Sequence, residues 1–217
     1  LGETLISQPT CDSAQPGGGL AIAKAMFDTW RGEALVRPIV APHGTTTCNE
    51  ALLRAGVELA AGQNALFTLH ASEMDYEMKY FAERGETPTR YLKRIGAVNE
   101  RLLAGHCIHL TTDDIEILAE GNAAIAPCIG SNTKAGKGVA SMAAAARAGV
   151  RFGLGTDGPS SGNTLSLFDQ MRLFADAHKT ANRDRALFRR RRSCGRRRGA
   201  ARKLCTPGTN WGSSVPV

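Results

Sequence analysis

Short continuous apolar runs alternate with stretches of helical spacing along most of the chain. Residues 1–6 read as the end of a strand and residues 7–19, rich in Pro, Gly, Asp and Ser, as a loop. Residues 20–31 space Leu20, Ala23, Phe27 and Trp30 on one helical side. An apolar strand over residues 36–41, interrupted by Pro38, ends at Pro42-His43, and residues 49–61 are helical with a stop at Gly62. Residues 65–69 are a buried-strand run that leads straight into His70, with Glu73 three positions on. Helices are expected over 75–84 and 89–95, and a strand within 101–110. Thr111-Thr112-Asp113-Asp114 then opens a helix to about Glu120, with a hydroxyl cap and acids in its first turn. A strand over 122–129, a loop over 130–138, a helix over 139–148 and a strand over 150–154 follow. A last amphipathic helix spans 164–178.

Strand followed by helix, five times over, specifies a parallel sheet with crossover helices. The strand ends carry His43, His70, His106 and Asp157. Chemically capable residues at several carboxyl-terminal strand ends face one pocket in a (β/α) barrel. An open doubly wound sheet also fits the alternation, but it gathers function at one switch point, and no G-x-G-x-x-G follows a strand. The expected fold class is α/β, a TIM-barrel-type (β/α)8 architecture.

Composition changes the picture mainly at one end. The net charge of +7 is uneven: residues 183–203 hold eleven basic residues and one acid, which leaves 16 basic against 19 acidic elsewhere. The chain therefore divides into a mildly acidic body, 1–182, and a basic tail, 183–217. The tail has no apolar periodicity and is expected to be disordered, or a non-native continuation such as a shifted reading frame. If native, it is the one part suited to nucleic acid, with salt-sensitive binding. Six cysteines without C-x-x-C spacing argue against a zinc ribbon or a disulfide scaffold. No apolar run is long enough to cross a bilayer, so no membrane is expected and the default setting is cytoplasmic.

The motifs Ala41-Pro42-His43, Leu69-His70-Ala71-Ser72-Glu73, Gly105-His106-Cys107-Ile108-His109-Leu110, Ser131-Asn132-Thr133-Lys134 and Gly155-Thr156-Asp157-Gly158 are similar, in order and placement, to those of the metal-dependent amidohydrolase superfamily. The branch resembled contains chlorohydrolases and aminohydrolases, among them S-adenosylhomocysteine/methylthioadenosine deaminases and guanine deaminases. The resemblance covers roughly residues 1–182. It implies hydrolytic deamination of an aminated heterocycle such as a purine, or removal of another ring substituent such as chloride.

By the same resemblance, His70 and Asp157 are ligands of a divalent metal, most often Zn2+, with Fe2+ an option. Asp157 also takes a proton from the attacking water, Glu73 shuttles a proton to the ring nitrogen and then to the leaving amine, and His106 stabilises the water. His43, with Glu73, contacts the substrate. The family's H-x-H pair is missing from this sequence, so the chain reads as a fragment holding about strands 3 to 8. The expected partner is a small heterocyclic molecule, with self-association left open. The alternative for His70, Asp157, Glu73 and His43 is structural: buried structural roles for His70 and Asp157, a helix-entry acid at Glu73 and a packing residue at His43. His109 is read as a helix-entry or surface residue, and Lys134 and Lys137 as solvated loop charges.

Overall fold

A computed structural model describes residues 1–188; the arginine run from Arg189 onward lies outside the described residues. Strands β1 (Thr4–Leu5) and β2 (Ala41–Pro42) pair in parallel, and β3 (Phe67–Ala71), β4 (Leu102–His106), β5 (Ala124–Ala126) and β6 (Arg151–Phe152) form a second parallel run in that order. Backbone bridges Val40–Phe67 and Gly44–His70 join the two. Among the described residues the six strands thus lie side by side in chain order. Parallel crossovers are almost always right-handed, so an order that never reverses keeps every crossover helix on one face. That is the winding of a (β/α)8 barrel, of which this chain supplies an arc.

The crossovers are α1 (Gly19–Thr29), α2 (Glu50–Gly62), the pair α3 (Asp75–Ala82) and α4 (Pro88–Arg94), then α5 (Thr112–Glu120), and the pair α6 (Ile129–Lys134) and α7 (Met142–Arg147). A four-residue turn, α8 (Pro159–Gly162), and the long α9 (Leu167–Asn182) follow β6. Side-chain caps set several starts. Asn49 accepts from Leu52 N at the head of α2, Thr87 precedes Pro88 and accepts from Arg90 N, and Ser166 accepts from Asp169 N. Thr111 and Asp114 form a reciprocal capping box at α5.

The sheet register sorts side chains into two faces. Phe67, Leu69, Ala71, Leu102, Ala104 and Ile125 are buried beneath the helices and form the core with Leu5, Leu53, Leu92, Leu118 and Met142. The opposite face carries a row of Thr68, Leu103, Ala124 and Arg151 and, one step nearer the strand ends, His70, Gly105 and Ala126; all are partly exposed. Packing continues past α9. Phe188 lies 4.8 Å from Phe174 and 6.1 Å from Phe152, ring centre to ring centre.

Several local expectations change: the strands expected over 122–129 and 150–154 shorten to Ala124–Ala126 and Arg151–Phe152, and the last helix shifts to Leu167–Asn182. Residues 36–39 are not strand: Pro38 lacks the N–H that a ladder needs, and only Ala41–Pro42 pair regularly. Residues 130–134, expected as loop, and Ile129, expected to end a strand, form α6, within which Thr133 Oγ1 donates to Ile129 O. The alanine-rich helix starts at Met142, three residues later than expected, after an irregular stretch from Val139.

Candidate functional site

Side chains from four strand ends converge at the carboxyl rim. The His43 ring centre lies 5.0 Å from that of His70, which lies 5.2 Å from that of His106. His106 Nε2 is 3.6 Å from Glu73 Oε2 and 3.9 Å from Asp157 Oδ2. Neither distance is a direct hydrogen bond; they are spacings at which one small group can contact both partners. All five residues expected from sequence are therefore at one rim. His109 is not among them: its Nε2 faces Asp75 at 3.6 Å, on the entry to α3.

Alternation alone would not put His106 there. It pairs with Ala71, on the helix-covered face, whereas His70 pairs with Gly105 on the open face. At His106 the backbone turns left-handed, φ 62°, and Cys107 follows at φ 50°, which re-aims the imidazole toward the rim. Ser72 (φ 50°) and Asp157 (φ 60°) share that conformation just past their own strands. Left-handed non-glycine residues cost roughly 1–3 kcal/mol each, and they concentrate at functional sites. Backbone hydrogen bonds hold these turns: Cys107 N donates to Ala71 O, while Ile108 N and His109 N both donate to Ser72 O.

Four further residues complete the site: Asn132, Glu77 and Thr47, to which the sequence reading gave no role, and Lys137, which it took for a solvated charge. Asn132, on α6 and fully buried, receives His106 Nδ1 at 2.8 Å. Glu77, one turn beyond Glu73 and buried, accepts from Ser72 N at 3.1 Å, from Glu73 N at 2.8 Å and from the Thr45 hydroxyl. It thereby ties the loop after β2 to the loop after β3. Thr47 Oγ1 lies 2.8 Å from His43 Nδ1. Lys137 Nζ lies 2.5 Å from Glu73 Oε1, with the two side chains 19% and 15% exposed. Lys137 is thus not the solvated charge expected of it, whereas Lys134, the last residue of α6, is exposed, its Nζ donating to Ser160 O and Asn163 Oδ1. The four-residue spacing of Glu73 and Glu77 was visible in the sequence. The Lys137–Glu73 contact spans 64 residues and left no local signal.

Burial by itself would raise the Asp157 carboxyl. The Ser131 hydroxyl, the Gly158 N–H at 2.6 Å and the nearby His106 and His70 outweigh it and hold the group below the ordinary carboxylate value. For His43, partial burial and then His70 draw the imidazole down, against Glu73. At neutral pH Asp157 is thus a carboxylate and His43 a neutral ring.

Imidazole and carboxylate are the donor types of a zinc site, and His70, Asp157 and His106 supply them. Among the described residues, however, no three His, Cys, Asp or Glu side chains are gathered closely enough to hold an ion unaided. The chemistry fits a divalent metal; the ligand number is short of the three that catalytic zinc generally takes.

The Amidohydrolase family model matches residues 17–191. The chain belongs to the amidohydrolase family. Within that family it is 33% identical over 185 residues to a 5-methylthioadenosine/S-adenosylhomocysteine deaminase of Thermodesulfovibrio yellowstonii, covering 85% of this chain and 42% of the relative. It is 38% identical over 151 residues to a 5'-deoxyadenosine deaminase of Methanothrix thermoacetophila, covering 69% and 37%. The fold superposes on a crystal structure of an adenosine deaminase from Xanthomonas campestris with bound zinc. That match has a TM-score of 0.81 and 32% identity, over 85% of this chain and 42% of that one. This amidohydrolase chain thus spans well under half the length of the relatives it matches.

Proposed function

We propose that this chain is part of a metal-dependent hydrolase that deaminates an aminated heterocycle of the adenosine type. The observation that carries the reading is His106 Nε2 facing Glu73 and Asp157 at 3.6 and 3.9 Å, with His70 alongside. His70 and Asp157, with His106 beside them, would hold a divalent ion, zinc fitting best. Such an ion, when bound, supplies a Lewis acid and brings the pKa of a water toward about 7.

The remaining chemistry belongs to the chain. Asp157, kept ionised, is suited to take a proton from the attacking water. The water supplies two protons: Glu73 delivers one to the ring nitrogen, and the other, taken up by Asp157, passes by way of Glu73 to the leaving amine. His106 hydrogen-bonds the attacking water from one side, and the neutral His43 contacts the ring. Water adds at the ring carbon that bears the amine, ammonia leaves, and a ring carbonyl remains. Relatives above 30% identity bear deaminase names, which favours ammonia over chloride as the leaving group. The free thiols of Cys11, Cys48, Cys107 and Cys128 suit a cytoplasmic setting.

The test is ammonia release by the zinc-loaded chain from adenosine-type and guanine-type substrates. Turnover that is lost in both Glu73→Gln and Asp157→Asn supports the reading. Zinc-dependent turnover that survives both substitutions would overturn it.

A further inference from the structure

Asn132, His106, Glu73 and Lys137 form a closed circuit. Nδ1 of His106 is bonded to Asn132 Oδ1, and its Nε2 faces Glu73 Oε2. The other oxygen, Glu73 Oε1, is held by Lys137 Nζ at 2.5 Å, and Lys137 N donates back to Asn132 O at 2.9 Å. Lys137 sits between Gly136 (φ 64°) and Gly138 (φ 115°), a backbone path that side chains rarely allow. That path turns the lysine inward over the rim, where both partners are mostly shielded from water. Only one carboxylate oxygen of Glu73 is left to face the pocket.

We propose that Lys137 is a positioning residue for Glu73: its ammonium fixes one carboxylate oxygen so that the other is presented toward His106 and the substrate. Lys137 touches no reacting atom in this arrangement. It acts by restricting the Glu73 rotamer, and the proposal rests on the reading of Glu73 as the proton carrier. A carboxylate that must meet a ring nitrogen gains from being held in line, because misplacement by about 1 Å can cost about 100-fold in rate. An ammonium on a long stem gives one strong charge-assisted hydrogen bond, and an arginine can replace it in part.

Two measurements on the full chain decide this. The first is steady-state ammonia release by Lys137→Met and Lys137→Arg. The methionine variant is expected to lose about 10-fold or more in kcat with little change in KM, and arginine to recover most of the loss. The second is thermal unfolding of Lys137→Met, Glu73→Ala and the double variant. The single effects are expected to miss additivity by about 2–4 °C. A methionine variant with wild-type kcat, a loss confined to KM, or additive melting shifts would overturn the proposal. Should the unsubstituted chain release no ammonia, the deaminase reading fails. The melting cycle still decides whether Lys137 holds Glu73.

Discussion

Nδ1 of His106 lies 2.8 Å from Oδ1 of Asn132, both side chains being almost completely buried. A carboxamide oxygen only accepts, so His106 donates from Nδ1, and in its neutral form Nε2 is the unprotonated nitrogen. Nε2 is the nitrogen that faces Glu73 and Asp157. Asn132 therefore chooses the tautomer as well as the ring orientation.

Asn132→Leu should remove that choice. The buried imidazole loses its partner, and the expected destabilisation is about 1–3 kcal/mol, read as a lower midpoint in urea unfolding. Ammonia release should fall by more than this stability loss explains. A variant with wild-type turnover would show that Asn132 does not orient His106.

Glu77 is the knot between two rim loops. Glu77→Gln replaces one acceptor oxygen by an NH2 group that must face an N–H or O–H donor already aimed at it. A loss of about 1.5–3 kcal/mol is expected by chemical denaturation. Faster amide exchange should be confined to the segments around Thr45 and Ser72. Exchange that rises evenly over the whole chain would instead indicate global loosening.

Zinc affinity separates rim residues from bystanders. By calorimetry against a competing chelator, His70→Ala and Asp157→Asn should each weaken binding by at least about 10-fold. His109→Ala, whose ring faces Asp75, should leave it unchanged. Equal effects from all three would place the ion elsewhere.

His178 makes the stability acid-sensitive. The ring is fully buried, with Nδ1 2.7 Å from Phe174 O and Nε2 3.2 Å from Ala140 O. Burial outweighs these two carbonyls and lowers its pKa from the usual 6.5. A depressed folded value means the contribution is complete above 6.5 and is lost as pH falls through the lower folded value. Melting temperature should therefore drop on acidification below pH 6.5, and His178→Phe should flatten that part of the profile. An unchanged slope would assign the sensitivity to other groups.

Much of this was legible in the residue order. Short continuous apolar runs marked the strands and stretches of period 3.6 the helices, because burial beneath crossover helices leaves few other solutions. The hydroxyls and acids of residues 111–114 announced the start of α5, and four of the five rim residues stood at the ends of predicted strands, with Glu73 on the loop after the third. What escaped depended on distance along the chain or on unusual backbone. Lys137 meets Glu73 across 64 residues, and α6 follows Cys128 without a side-chain cap. His106 reaches the rim through a left-handed turn, against the strand alternation that would have sent it to the other face.

That turn makes shape and reactivity separable at this position. Asparagine is among the few residues that accept a positive φ readily, whereas valine or isoleucine would fight it. His106→Asn could therefore keep the bend while taking away the imidazole, a silent scaffold against which the chemistry of every other rim group can be measured. Engineers wishing to install a new function on this barrel arc would do well to leave the bend alone and rewrite only what it carries.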